Sequence, residues 1–232
     1  MSRRVVPLTL DNLDDLPVPC RDCVFWELEP ALHAGAVAQD GGVSDGGGPV
    51  CRAREQKESW VAETLLEWGT CGQLIYVDDV PAGYLLYAPS AYVPRALSFA
   101  TAPVSPDAVL LMTGQVRAEH AGGGSGRILM QAVARETMRH GVRAIEAFAI
   151  ASARARSATE APVPADLLAR APGGCLLPMD YLLSVGFKTV RPHPATPRLR
   201  LDLRRAITWR ADVETALERL RAGVSAPSLS PG

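Results

Sequence analysis

Apolar positions recur along the chain with two different periods. Between residues 54 and 68, Trp60, Val61, Thr64, Leu65 and Trp68 fall on one helical face. Glu55, Lys57, Glu58 and Glu63 fall mostly away from it, and Gly69 ends the pattern. Residues 73–77 and 82–88 are short apolar runs joined by Asp78-Asp79-Val80-Pro81, the size of a hairpin turn, and they predict an antiparallel strand pair. Val109-Leu110-Leu111-Met112 followed by Val116 predicts a buried strand, and Leu129, Ala132 and Val133 open a helix that runs to about His140 and stops at Gly141. In the next strand, 142–148, alternation puts Ile145 and Ala147 on one face and Ala144, Glu146 and Phe148 on the other.

The remaining segments are weaker in pattern. Residues 5–8 predict a first strand, and 10–16 one or two helical turns cut off by Pro17 and Pro19. Residues 34–49 are rich in Gly and Asp and predict a mobile loop that cannot bury enough apolar surface to order itself. Residues 89–106, punctuated by prolines, predict an extended connection. Residues 151–174 form an Ala/Arg/Pro-rich insertion with at most a short helix around 165–170. A strand pair at 187–190 and 199–203 precedes a last amphipathic helix, 209–221, carrying Trp209, Val213, Ala216, Leu217 and Leu220. The organisation expected is one domain: an N-terminal strand, helix and flexible loop (1–52), a core (53–203) interrupted by the insertion, and a C-terminal helix with a disordered tail (204–232).

Composition narrows the class without identifying it. With 232 residues, 47% hydrophobic and 21% charged, the chain has the balance of a soluble globular domain with one substantial core. A formal net charge of −1 provides no overall attraction to nucleic acid or to an acidic membrane, so neither is expected as a partner. No apolar run approaches the ~18 residues of a membrane span, and the start Met-Ser-Arg-Arg-Val-Val-Pro lacks the apolar core of a secretory signal, so a cytoplasmic protein is expected. Five cysteines, an odd number, suit a reducing compartment. Cys20 and Cys23 form a CxxC pair, but Cys51 and Cys71 are far from each other in sequence, so the spacing argues for ordinary thiols rather than zinc.

The candidate chemistry lies where the buried strand meets the helix, at Gly122-Gly123-Gly124-Ser125-Gly126-Arg127. Glycines at a helix start let the backbone approach a ligand and turn its N–H groups toward an anion, and the helix N-terminus adds roughly half a positive charge. A phosphate is the expected ligand, with a plain flexible surface loop as the alternative. Two familiar nucleotide motifs fail here. A Walker loop needs Lys-Ser/Thr where Arg127-Ile128 stands, and a dinucleotide fingerprint needs a third glycine that neither frame supplies.

The frame Ala121-x-x-Gly124-x-Gly126, five residues after Val116, instead resembles the pyrophosphate loop of the GNAT acyltransferases, with the pattern Arg/Gln-x-x-Gly-x-Gly/Ala. Ala121 departs from the first position, removing a side chain but not the backbone donors. A second stretch, residues 175–187, is similar to the short GNAT helix that ends in Gly-Phe, here Gly186-Phe187. In that alignment Cys175 stands at the usual Asn, Pro178 at the Ala, Tyr181 at the aromatic position and Leu182 at the Tyr. The resemblance implies an α+β fold, a mixed and mostly antiparallel central sheet flanked by helices, with its fourth and fifth strands splayed apart. It implies acetyl-CoA as co-substrate, held by Val116, Gly122, Gly123, Gly124, Ser125, Gly126, Arg127 and Cys175, and no metal. It also implies an amine acceptor, a small molecule or a peptide, and is compatible with a homodimer.

Under that resemblance the pantetheine runs between the strand ending near Val116 and the strand carrying Glu146, with the thioester near Met112 to Gln115. Two catalytic candidates follow. Glu146, a carboxylate in mid-strand, is either a base or a structural ion-pair partner. Tyr181 is a candidate acid displaced by about 100° around its helix from the family's Tyr. Glu119 and His120 before the loop are further proton-relay candidates, and Glu27 a candidate for acceptor contact. The strand from Ala108 to Val116 has no acidic residue. Weak provision of a base favours an acceptor whose amine is already neutral: an α-amine near pKa ~7.8 costs about 1 kcal/mol to deprotonate at pH 7, a lysine-like amine roughly 4–5. Two functions stay open, an N-acyltransferase and a CoA-binding regulatory or interaction module with a degenerate catalytic site. The basic cluster Arg198, Arg200, Arg204 and Arg205 reads as a solvated strand edge.

Overall fold

The structure, a computed structural model, describes residues 2–18, 20–29, 49–151 and 175–203, without the side chains of 49–52. The loop expected up to residue 48, the insertion from 152 and the helix expected at 209–221 lie outside the described residues. Strand β1 (Arg3–Pro7) and two short 3-10 turns, Leu13–Asp15 and Cys20–Asp22, precede helix α1 (Pro49–Trp68). Strands β2 (Gly72–Val77) and β3 (Val80–Ala88) form the predicted hairpin, with Asp78 and Asp79 both at positive φ, the backbone that a tight two-residue hairpin turn requires. Residues 90–92 and 94–98 form 3-10 turns within the proline-rich connection to β4 (Ala108–Val116). Then come α2 (Ser125–Arg139), β5 (Ala144–Ile150), β6 (Leu177–Pro178), α3 (Met179–Ser184), β7 (Lys188–Arg191) and β8 (Arg198–Asp202).

The strands make one mixed sheet in the order β1-β2-β3-β4-β5-β8-β7, with β6 pairing β5 off this path. All neighbours are antiparallel except β4 with β5 and β5 with β6. Alternation along each strand feeds two cores. On one face Leu74, Tyr84, Leu86, Leu110, Met112 and Phe148 pack with Trp26, Phe99, Trp60 and Val61. On the other Ile75, Leu85, Leu111, Ile145 and Ala147 pack with Leu129, Met130 and Val133 of α2 and Leu182 of α3. Phe25 and Trp26 are buried, and Trp26 stacks on Phe99, which stacks on Phe148.

The feature that positions the site is the parting of β4 and β5. Their parallel pairing covers only Ala108–Leu110 against Ala144–Glu146. Just beyond it β4 bulges: Leu86 faces Thr113 and Tyr87 faces Leu111, leaving Met112 as the extra residue. A bulge adds local twist and bends its strand, and here it coincides with the divergence from β5. The gap is not open on both sides. Beyond the splay β5 stays bonded to the β8 side, Ala149 N–H to the Pro197 carbonyl at 2.9 Å, while Leu177–Pro178 pair in parallel with Ala149–Ile150 along the edge that β4 has left. The splay that the resemblance implied is present, and β6 occupies its β5 side. Among the described residues, the edge left without a strand partner past the bulge belongs to β4.

Candidate functional site

The splayed part of β4 leads through a 3-10 turn, Ala118–His120, into the glycine loop. Gly122 and Gly124 have φ of 76° and 83°, in the left-handed region where a side chain is strained, and a Cβ at either would meet nothing within 4 Å. The loop therefore presents open backbone on its outer surface. Helix α2 starts immediately, with Gly124 as its N-cap and a first bond from the Ile128 N–H to the Gly124 carbonyl at 3.0 Å. The amides of Ser125, Gly126 and Arg127 precede that first bond and are left over as donors. The Ser125 hydroxyl, buried at the same helix start, has no hydrogen-bond partner. Unsatisfied donors gathered around a glycine turn that is open at Gly122 and Gly124 and has the Arg3 guanidinium beside Gly123 are what a phosphate group can satisfy, so the residues here fit the pyrophosphate of CoA.

Helix α3 supports the loop from behind. The Tyr181 hydroxyl donates to the Gly126 carbonyl at 2.9 Å, and a Cβ on Gly126 would come within 3.0 Å of the Tyr181 ring. Gly126 is thus required by a close approach. Burial pushes the Tyr181 hydroxyl up to about pKa 12. Its proton is held against the Gly126 carbonyl of the glycine loop, a geometry suited to bracing the loop. Tyr181→Phe removes one neutral hydrogen bond, so a loss of about 1 kcal/mol in stability by denaturant titration is expected, with CoA affinity within about threefold of wild type.

Glu146 lies one strand position before the splay, opposite Leu110, and is fully buried. Its Oε2 accepts the Ser105 N–H at 3.1 Å and lies 3.0 Å from Arg198 Nη1; its Oε1 accepts from Arg200 Nη1 at 3.1 Å. Arg200 also holds Asp107 at 2.8 and 2.9 Å and Asp202 at 2.8 Å. Burial pushes the Glu146 carboxyl up, but the Ser105 hydrogen bonds with Arg198 and Arg200 outweigh it, and it ends below its ordinary value. Arg200 likewise holds Asp107 below the usual carboxylate range. A carboxylate so stabilised is a poor proton acceptor, and the geometry favours the ion-pair reading of Glu146 over the base. The same contacts correct the reading of Arg198 and Arg200 as a solvated edge; Arg204 and Arg205 lie outside the described residues. The signal was present in the alternation of Arg198-Leu199-Arg200-Leu201, which puts both arginines on one face, but nothing local says that this face meets Glu146.

Two further expectations are revised by packing. Glu27 is buried and its Oε1 is ion-paired with Lys57 of α1, a residue that the helical pattern places away from the core, while its Oε2 is buried without a hydrogen-bond partner. Cys175 lies beside the splay, two residues before β6. Its carbonyl accepts from Trp26 Nε1 at 2.9 Å and its sulfur is 4.0 Å from that of Cys23. Of the relay candidates, Glu119 is exposed, with Arg117 4.0 Å away, and His120 is half-buried at the loop's edge. Among the described residues no group of three or more His, Cys, Asp or Glu side chains is arranged to hold a metal ion, and no helix is long and apolar enough to cross a membrane.

Strand order, the β4–β5 splay and the glycine turn at the head of α2 together define the GNAT fold. In structural comparison the chain is similar to the PaiA N-acetyltransferase of Thermoplasma acidophilum, solved in complex with coenzyme A, with a TM-score of 0.50 and 10% identity over 87% of this chain and 99% of that one. It is also similar to the GNAT domain of S. lividans PAT, with a TM-score of 0.46 and 16% identity over 86% of this chain and 90% of that one. No protein-family model matches the sequence, and no curated protein matches it. The chain is a GNAT-fold protein, as its glycine loop and Gly-Phe helix implied, and structural comparison bears this out where family models do not match.

Proposed function

We propose that this protein is an N-acyltransferase that passes an acetyl or other short acyl group from acyl-CoA to an amine acceptor. The observation that carries the reading is the alignment of the β4 edge left open by the splay with a glycine turn whose helix-start amides and Ser125 hydroxyl lack partners. Gly122, Gly123, Gly124, Ser125, Gly126 and Arg127 hold the pyrophosphate, and the backbone of β4 from the bulge to Val116 offers hydrogen bonds to the pantetheine amides as a neighbouring strand would. Cys175 and the β6 segment line the opposite wall. Acyl-CoA supplies the activated acyl group as a thioester; the chain's part is to hold it, orient it and offer a backbone N–H near the bulge to its carbonyl oxygen.

The acceptor side follows from what the chain lacks in the described residues. Glu146 and Glu27 are both committed to buried cations, so little remains to deprotonate a strongly basic amine. An amine of low pKa, an α-amine of a small molecule or peptide, fits this provision best. The same two ion pairs and the Tyr181 tether favour a second reading, a CoA-binding regulatory or interaction module without turnover.

Calorimetric titration with acetyl-CoA tests the shared premise. Saturable binding at one site per chain is expected, and none would remove both readings. Release of free CoA thiol with a panel of amines then separates them. Turnover with α-amines above that with lysine-like amines supports the transferase, while binding without turnover at any pH from 7 to 9 leaves the module.

A further inference from the structure

The CxxC motif is absorbed by none of the chemistry above, yet the fold carries it to the wall of the site. Cys20 and Cys23 flank the short turn Cys20–Asp22, where the Cys23 N–H bonds to the Cys20 carbonyl at 3.3 Å. From there the chain crosses the sheet face, where Phe25 and Trp26 are buried, and Trp26 Nε1 anchors the Cys175 backbone. This brings the sulfurs of Cys23 and Cys175, 152 positions apart in sequence, to 4.0 Å. All four described cysteines are in the thiol form, and Cys23 is more accessible than Cys175. Cys20 instead hydrogen-bonds to Tyr84, which also bonds Thr113 on the splayed part of β4.

We propose that Cys23 and Cys175 are a dithiol site that a low-molecular-weight disulfide converts to a Cys23–Cys175 disulfide, joining the N-terminal segment to the β6 wall of the splay. The Cys23 thiolate, the more accessible, attacks one sulfur of the small disulfide and releases one small thiol. The Cys175 thiolate then attacks the Cys23 sulfur of the mixed disulfide and releases the second. The two protein protons end on the two released thiols, and the small disulfide is the electron acceptor. Closing the bond shortens the sulfur separation from 4.0 Å to about 2.05 Å, a movement shared between the two side chains and the segments that carry them. Cys175 is two residues from Leu177, which pairs with Ala149 inside the splay, so the movement reaches the wall against which the pantetheine is read to lie. That second consequence rests on the acyl-CoA reading; formation of the bond does not.

The test uses the full chain, reduced, treated with oxidised glutathione, alkylated and mapped by mass spectrometry, followed by CoA titration of the same samples. A Cys23–Cys175 cross-linked peptide is expected, with CoA affinity lowered at least about fivefold, the lower end of ordinary coupling between sites, and recovered with dithiothreitol. Cys23→Ser should give no cross-link and an affinity indifferent to the oxidant. A Cys20–Cys23 bond, a lasting glutathione adduct on Cys23 or no reaction overturns the assignment, and the wild-type peptide map decides this even where a variant does not fold. A mapped cross-link with unchanged CoA affinity overturns the coupling to the splay. Failure of the reduced protein to bind CoA sinks the acyl-CoA reading instead, with the cross-link map still standing.

Discussion

Replacing Gly124 with glutamate is expected to lower CoA affinity by at least about 100-fold while the protein stays folded. The position has φ +83°, so any L side chain is strained there, at roughly 1–2 kcal/mol. Yet a Cβ would meet no atom within 4 Å, so nothing in the protein is displaced. The larger effect falls on the ligand. A carboxylate at the N-cap of α2 competes for the amides of Ser125 to Arg127 and repels the pyrophosphate, and losing two charge-assisted hydrogen bonds at about 1.5–3 kcal/mol each exceeds the ~2.8 kcal/mol that 100-fold represents. Titration calorimetry with CoA, with circular dichroism as the fold control, measures it; wild-type affinity in a folded Gly124→Glu protein would take the loop out of the site. Gly126→Asp should bind as poorly and be less stable, because its Cβ also drives against the Tyr181 ring at 3.0 Å.

The second large effect is expected at Glu146 and reads out in stability more than in turnover. Glu146→Gln leaves Arg198, 6% exposed and 3.0 Å from the lost charge, without its carboxylate. Breaking a buried pair on one side costs about 3–5 kcal/mol, so Tm should fall by roughly 6–20 °C for a domain of this size. The double replacement Glu146→Leu with Arg198→Met should recover part of that loss, since well-packed apolar residues often equal a buried ion pair. Acid has a defined sign here. Because the folded protein holds the Glu146 and Asp107 carboxyls below their ordinary values, their contribution is present above the unfolded carboxylate range near pH ~4 and is lost as pH falls through the lower folded values. Wild type and Glu146→Gln should therefore converge in stability on acidification. A variant with wild-type Tm whose turnover at pH 7 drops about 100-fold, with the defect shrinking as pH rises, would restore Glu146 as the base.

Local periodicity carried much of the architecture. Alternation through residues 142–148 correctly divided Ile145 and Ala147 from Ala144, Glu146 and Phe148, because successive side chains of a strand must point to opposite faces whatever lies above them. The helical spacing of Leu129, Ala132 and Val133 located α2, and the glycine run located its start, because only glycine takes the backbone of Gly122 and Gly124 without strain. These are properties of a few consecutive residues.

What periodicity cannot carry is who faces whom across the fold. Glu146 meets Arg200 because β5 and β8 pair antiparallel in one register, 54 residues apart, and a shift of one position would have turned the arginines to the opposite face. Lys57 reads as a surface residue in its helix and is buried only because Glu27, 30 residues earlier, supplies a charge that offsets its desolvation. Tyr181 reads as a misplaced acid until α3 is packed beneath the Gly126 carbonyl. The sequence by itself determined the elements, the glycine turn and the side of the strand on which the carboxylate lies, since each depends on neighbours along the chain. Tertiary structure alone decided that this carboxylate is neutralised, that β6 occupies one edge of the splay and that Cys23 meets Cys175, since each depends on long-range pairing and register.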